Sequence, residues 1–155
     1  MRVIEKIKNL ISWFPVIWND FDWDYQSIYR ILEHKLSRME NVIRGGYAVD
    51  AEATADKIKF CSLLCKRLAE CDYLERALIP HKRKWGSIGD LITKELPGGT
   101  LEWLGPKWEK ADTEEKRLQA EEEFRRAAIR ADWRQEQDKN ELFDAMKKYI
   151  TGWWD

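Results

Sequence analysis

The chain has 155 residues, 44% of them hydrophobic, with 27 basic and 28 acidic side chains for a formal net charge of −1. That length predicts one domain able to build a core without staples, and near-neutrality excludes any overall pull toward extended nucleic acid or anionic lipid. Cys61, Cys65 and Cys71 share one Leu-rich stretch without framework spacing, which argues against a disulfide scaffold and for small buried hydrophobes in a reducing compartment.

No stretch is apolar over the length that spans a bilayer. The run Leu10–Trp18 is broken by Pro15, followed by Asn19 and Asp20, and lacks a small-residue cleavage site, so it is not a secretory signal. Residues 2–12 read as a short amphipathic helix. Val3, Ile4, Ile7, Leu10 and Ile11 lie on one face, which is expected to dock on the body of the protein, and Pro15 ends the helix. The alternating Trp18-Asn19-Asp20-Phe21-Asp22-Trp23-Asp24 is read as a loop in which Asp22 or Asp24 caps the next helix. That helix is expected over 25–44, with a stripe of Tyr25, Ile28, Tyr29, Leu32, Leu36, Met39 and Ile43, stopped by Gly45-Gly46. A third helix is expected over 51–77, with a seam of Ile58, Cys61, Leu64, Cys65, Leu68 and Cys71. The short connection makes the two an antiparallel hairpin.

Residues 80–111 carry Pro80, Gly86, Gly89, Pro97, Gly98, Gly99, Gly105 and Pro106. They are read as an ordered loop insertion with one short helix near 87–95, held down by Trp85, Trp103 and Trp108. Asp112, with Glu115 three places on, is expected to cap a long final helix. If unbroken to Ile150 it is a rod of roughly 55 Å. The fold class expected is therefore all-α: one antiparallel helical bundle over 1–155, with a long C-terminal helix and an irregular Gly/Pro/Trp-rich loop. Nine tryptophans cluster near both chain ends and in the middle. As indoles anchor cores and interfaces, both termini are expected to be pinned into the fold.

The opening Ile17-Trp18-Asn19-Asp20-Phe21-Asp22-Trp23-Asp24-Tyr25, with Leu36-Ser37-Arg38-Met39-Glu40, resembles that of small uncharacterised helical proteins of tailed bacteriophages. The ending, Glu141-Leu142-Phe143-Asp144 and Tyr149-Ile150-Thr151-Gly152-Trp153-Trp154-Asp155, is similar to theirs. The resemblance covers about the first 75 residues and the last 15. It implies a viral protein in the host bacterial cytoplasm and carries no activity with it.

Several constellations bear on chemistry. Asp20-x-Asp22-x-Asp24 opens like a calcium loop but has Tyr25 at the glycine position and Ile31 at the place of the bidentate Glu, so no metal is expected. His81-Lys82-Arg83-Lys84-Trp85 joins cations to an aromatic platform. Either it meets a phosphate and a base, together with Trp23 and Tyr25 across a recess, or it is a solvated turn whose Trp85 plugs the core. Arg126 and Arg130, with Arg134, share a helix face. They line an anionic groove or form intrahelical ion pairs with Glu122 and Asp138. Glu141-x-x-Asp144 is half of the carboxylate set of an all-α nucleotide pyrophosphohydrolase, and its second half is missing.

Three functions follow in order. The first is a non-enzymatic binding protein that sequesters a nucleotide-like small molecule, an immune signal of the host, through His81–Trp85, Trp23, Tyr25, Arg126 and Arg130. The second is an oligomeric interaction or assembly factor acting on a phage or host protein. The third, a remote one, is a metal-dependent hydrolase. No cofactor is expected, nor a membrane partner, and a homo-oligomer is.

Overall fold

The structure is a computed structural model that describes residues 3–21, 23–47 and 49–153, with backbone alone at 90–92, 103 and 104. The fold is mostly helical, with six α-helices and one antiparallel hairpin among the described residues: α1 (Val3–Trp18), α2 (Tyr25–Arg44), α3 (Ala51–Glu70), α4 (Tyr73–Ala77), α5 (Ile79–Trp85), β1 (Ile88–Glu95), β2 (Leu101–Trp108) and α6 (Glu114–Tyr149), closed by a 3₁₀ turn at Ile150–Trp153. The chain divides into two compact units, Met1–Cys71 with Glu136–Asp155, and Asp72–Gln135. Among the described residues no helix is long and apolar enough to cross a membrane.

In the first unit α2 starts where Asp24 accepts a hydrogen bond from the Gln26 N–H through its side chain, at 2.9 Å, satisfying one orphan donor of the first turn. Asp22, the other candidate cap, lies outside the described residues, as does Trp154. The α2 and α3 helices pack as an antiparallel pair: Tyr25 meets Cys71, Ser37 meets Ser62 at 2.8 Å, and Arg44 reaches Asp56 at 2.7 Å. Tyr29, Leu36 and Met39 of α2 are buried with Ile58, Cys61, Leu64, Cys65 and Leu68 of α3, and Leu142 and Trp153 are buried too. Burial drives the Cys65 thiol up to about 12, the Cys61 charge adding to the effect, so this thiol stays protonated and inert. Asp138, buried, is held by a fork of hydrogen bonds from Arg67 on α3, as a buried carboxylate requires.

In the second unit Trp85, Trp108, Ala111 and Ala120 make the core, with Phe124 against it. Ala120, Ala127 and Ala131 are buried along α6, and the small Ala120 packs in the cluster with Trp85 and Trp108. The strands pair Ile88 with Trp108 and Glu95 with Leu101, with bulges between Ile88 and Leu91 and between Ile92 and Thr93. Gly98 and Gly99, at φ of 106° and 80°, make the turn, a conformation open to glycine at no steric cost.

Four expectations are corrected. The fold is not all-α: most of 88–108 is a hairpin, not loop and short helix. Gly/Pro punctuation around a Pro-Gly-Gly turn, flanked by β-branched Ile88, Ile92 and Thr93, is the signature of paired strands. Helix α3 stops at Glu70, because Cys71 turns left-handed with φ 50°. Helix α1 does not stop at Pro15 but runs on to Trp18. The cap of α6 is Thr113, whose hydroxyl accepts from the Lys116 N–H at 3.3 Å, while Asp112 pairs with the Lys116 ammonium.

Candidate interaction surface

Helix α1 is built inside out. At about 100° per residue, Val3, Ile4, Ile7, Leu10, Ile11, Phe14, Ile17 and Trp18 sweep one arc of roughly 140°, and all eight are exposed, between 50% and 73%. No side chain of α1 is fully buried. The opposite side carries the attachments to α2. The Ser12 hydroxyl meets His34 Nε2 at 3.1 Å, Arg38 donates to Asn9 Oδ1 at 2.6 Å, and the Trp13 ring stands edge-on to His34 at 4.6 Å. The apolar face predicted to dock on the body thus points away from it, and Asn9, Ser12 and the Trp13 ring do the docking.

The apolar strip continues past the helix. Phe21 and Trp23 stand exposed, Trp23 at 84%, with ring centroids 5.9 Å apart. Tyr25 and Ile28 are exposed beyond them. Of the front tryptophans only Trp13 is partly covered; Trp18 and Trp23 are not pinned into the fold, whereas Trp153 is buried. The strip is flanked by Lys6 and Lys8 at its start and by Asp20 and Asp24 at its end. Its later half was hidden in the sequence by Pro15, although Phe14, Ile17 and Trp18 extend the same three-and-four spacing.

The basic segment lies in the second unit and is helical, not a loop. His81 is 5% exposed, its Nε2 paired with the Ala120 carbonyl at 2.8 Å and its ring 4.4 Å from Trp108. Trp85 is also 5% exposed and donates its indole N–H to Glu123 at 2.7 Å. Lys84 lies over that indole and bonds the other Glu123 oxygen at 2.6 Å. Both bonds hold the Glu123 carboxyl below its usual range, Lys84 most. Lys82 and Arg83 remain exposed. Of the arginine row, Arg126 pairs with Glu122 along the helix at 2.5 Å, and Arg130 is exposed. Trp23 and Tyr25 belong to the other unit.

A shallow groove of about 440 Å³ in the first unit is lined by Gln26, Arg30, Glu33, Lys66, Ala69 and Glu70. Arg30 faces Asp24 at 3.5 Å and Lys66 faces Glu70 at 3.9 Å, so its charges largely answer one another. Glu141 accepts from Gln137 one turn back along α6. Among the described residues no three His, Cys, Asp or Glu side chains are grouped to hold a metal ion. Comparison with protein-family models, with curated proteins and with solved structures finds no match to this chain.

Proposed function

We propose that this protein is a non-enzymatic interaction or assembly factor whose working surface is the outward face of α1 and the adjoining Phe21 and Trp23. One observation carries the reading: a sixteen-residue helix docks through Asn9, Ser12 and Trp13 and leaves eight large apolar side chains in solvent. Contiguous apolar surface of this extent marks an association site, with aromatic side chains as its anchors. The resemblance of the two chain ends to small tailed-phage proteins supports the cytoplasm of an infected bacterium as the setting, with a phage or host protein, or another copy, as the partner. A photo-crosslinking amino acid at Phe14 in the full chain, expressed in bacteria, tests this. A covalent protein adduct is expected, lost when Leu10 and Ile17 are both changed to Glu. Irradiation without any adduct refutes the reading.

A second reading, sequestration of a nucleotide-type signal, draws support from Lys82 and Arg83, two exposed neighbouring cations on α5 without a carboxylate partner among the described residues. Calorimetry against cyclic dinucleotides and ADP-ribose-type compounds measures it: binding weakened by Arg83→Ala supports it, and silence across the panel removes it.

A further inference from the structure

We infer that the solvent side of α6 is a binding site for single-stranded nucleic acid, built from Arg130, Trp133 and Arg134; it does not depend on the reading of α1. Between Phe124 and Gln135 the helix carries four arginines and a single acid, Asp132, although the whole chain stands at −1. Helical geometry sorts these residues into two neighbouring rows at steps of four: Arg126, Arg130 and Arg134 in one, Arg125, Ile129 and Trp133 in the other. Ala127 and Ala131 are buried on the inner side. Trp133 lies about 200° of turn beyond Ala131 and is 65% exposed, with Ile129 beside it at 62%. Asp132 lies about 200° round from Arg130, on a different side of the helix.

The carboxylates that spacing offers to this row are engaged elsewhere. Asp138, four residues after Arg134, is buried and held by the Arg67 fork. Glu122 is taken by Arg126, and Glu123 by Lys84 and Trp85. Arg130 and Arg134 are exposed and make no ion pair among the described residues. Guanidinium forks match phosphate oxygens in pairs. One turn apart, about 6 Å along the helix axis, the two are spaced to reach successive phosphates of an extended strand. Trp133, three residues from Arg130, has no ring or hydrogen-bond partner among the described residues. Its open face takes a base by stacking, which tolerates any sequence. An acidic peptide fits less well, because it answers the arginines and offers the indole no flat partner. A duplex also fits less well, since its bases are already stacked on one another.

Fluorescence anisotropy of a labelled oligothymidylate of about twelve nucleotides, titrated with the full chain, gives the test. Saturable binding is expected at about 50 mM salt, and two phosphate contacts give a slope of about −1.4 in log K against log salt. Arg130→Ala and Arg134→Ala should each reduce that slope by about 0.7. Trp133→Ala should weaken binding about tenfold with the slope unchanged, and Trp133→Phe should retain most of the affinity. All three positions are exposed, so the variants should keep the wild-type melting temperature. Leu10→Glu combined with Ile17→Glu, which breaks the α1 face, should leave oligonucleotide binding as it is. Absence of binding at low salt overturns the site, as does binding indifferent to Trp133→Ala. An oligoglutamate that competes as well as the oligonucleotide, or a duplex bound more tightly than the single strand, overturns it too.

Discussion

Cys71 closes α3 with φ 50° and ψ 31°, its N–H returning to the Arg67 carbonyl at 3.1 Å. This is a left-handed cap in which a Cβ sits too near the following backbone. Cys71→Gly relieves that contact, and urea unfolding should show a gain of about 0.5–1 kcal/mol. The same geometry separates α3 from α4; the apolar spacing 51–77 gave no warning of it, since left-handed caps are usually glycine. Glu123 is the other residue with a readable consequence. Its bonds to Lys84 and Trp85 depress its carboxyl below the unfolded value of about 4.3. The unfolded chain therefore binds the proton first as pH falls. The stabilisation is present in full above that unfolded value and is lost as pH drops through the folded one. Glu123→Gln should lower stability by about 1 kcal/mol at neutral pH and flatten the decline between pH 5 and pH 2, measured by urea titration at each pH.

Among the elements, α1 runs one turn past its proline, and the end of that turn is capped: Asn19 Nδ2 donates to the Pro15 carbonyl at 2.8 Å. Pro15 has no N–H for the Ile11 carbonyl. Pro15→Ala should therefore strengthen α1 by about 1–3 kcal/mol, seen as slower amide exchange at Val16, Ile17 and Trp18. The α2 helix was legible at both ends, with Asp24 before it and Gly45 after it, because cap and periodicity agreed. The hairpin was not, because glycines and prolines read singly as punctuation become strand signals only when the runs on either side are seen to pair. The basic segment was legible in composition but not in burial: His81 and Trp85 fall on the inner side of α5 and Lys82 and Arg83 on the outer, a division set by one helical turn.

For the whole molecule, stability and association should separate. Leu142, fully buried, belongs to the core of the first unit; Leu142→Ala should cost about 2–5 kcal/mol and lower the melting temperature with the solution mass unchanged. Ile11→Glu, on the exposed strip, should leave the thermal transition within about a degree or two, as surface substitutions do, and abolish the Phe14 photo-adduct. Calorimetry, light scattering and photo-crosslinking on the two variants check the pair of outcomes. The sequence by itself determined the helical character, the extent of α2, the α3 seam and the long final helix, because these follow from spacing and caps within one element. Tertiary structure alone decided that α1 turns its apolar face outward and that Trp85 and His81 turn inward. A period says which residues share a face, and only the neighbours that remain to be covered say which way the face turns.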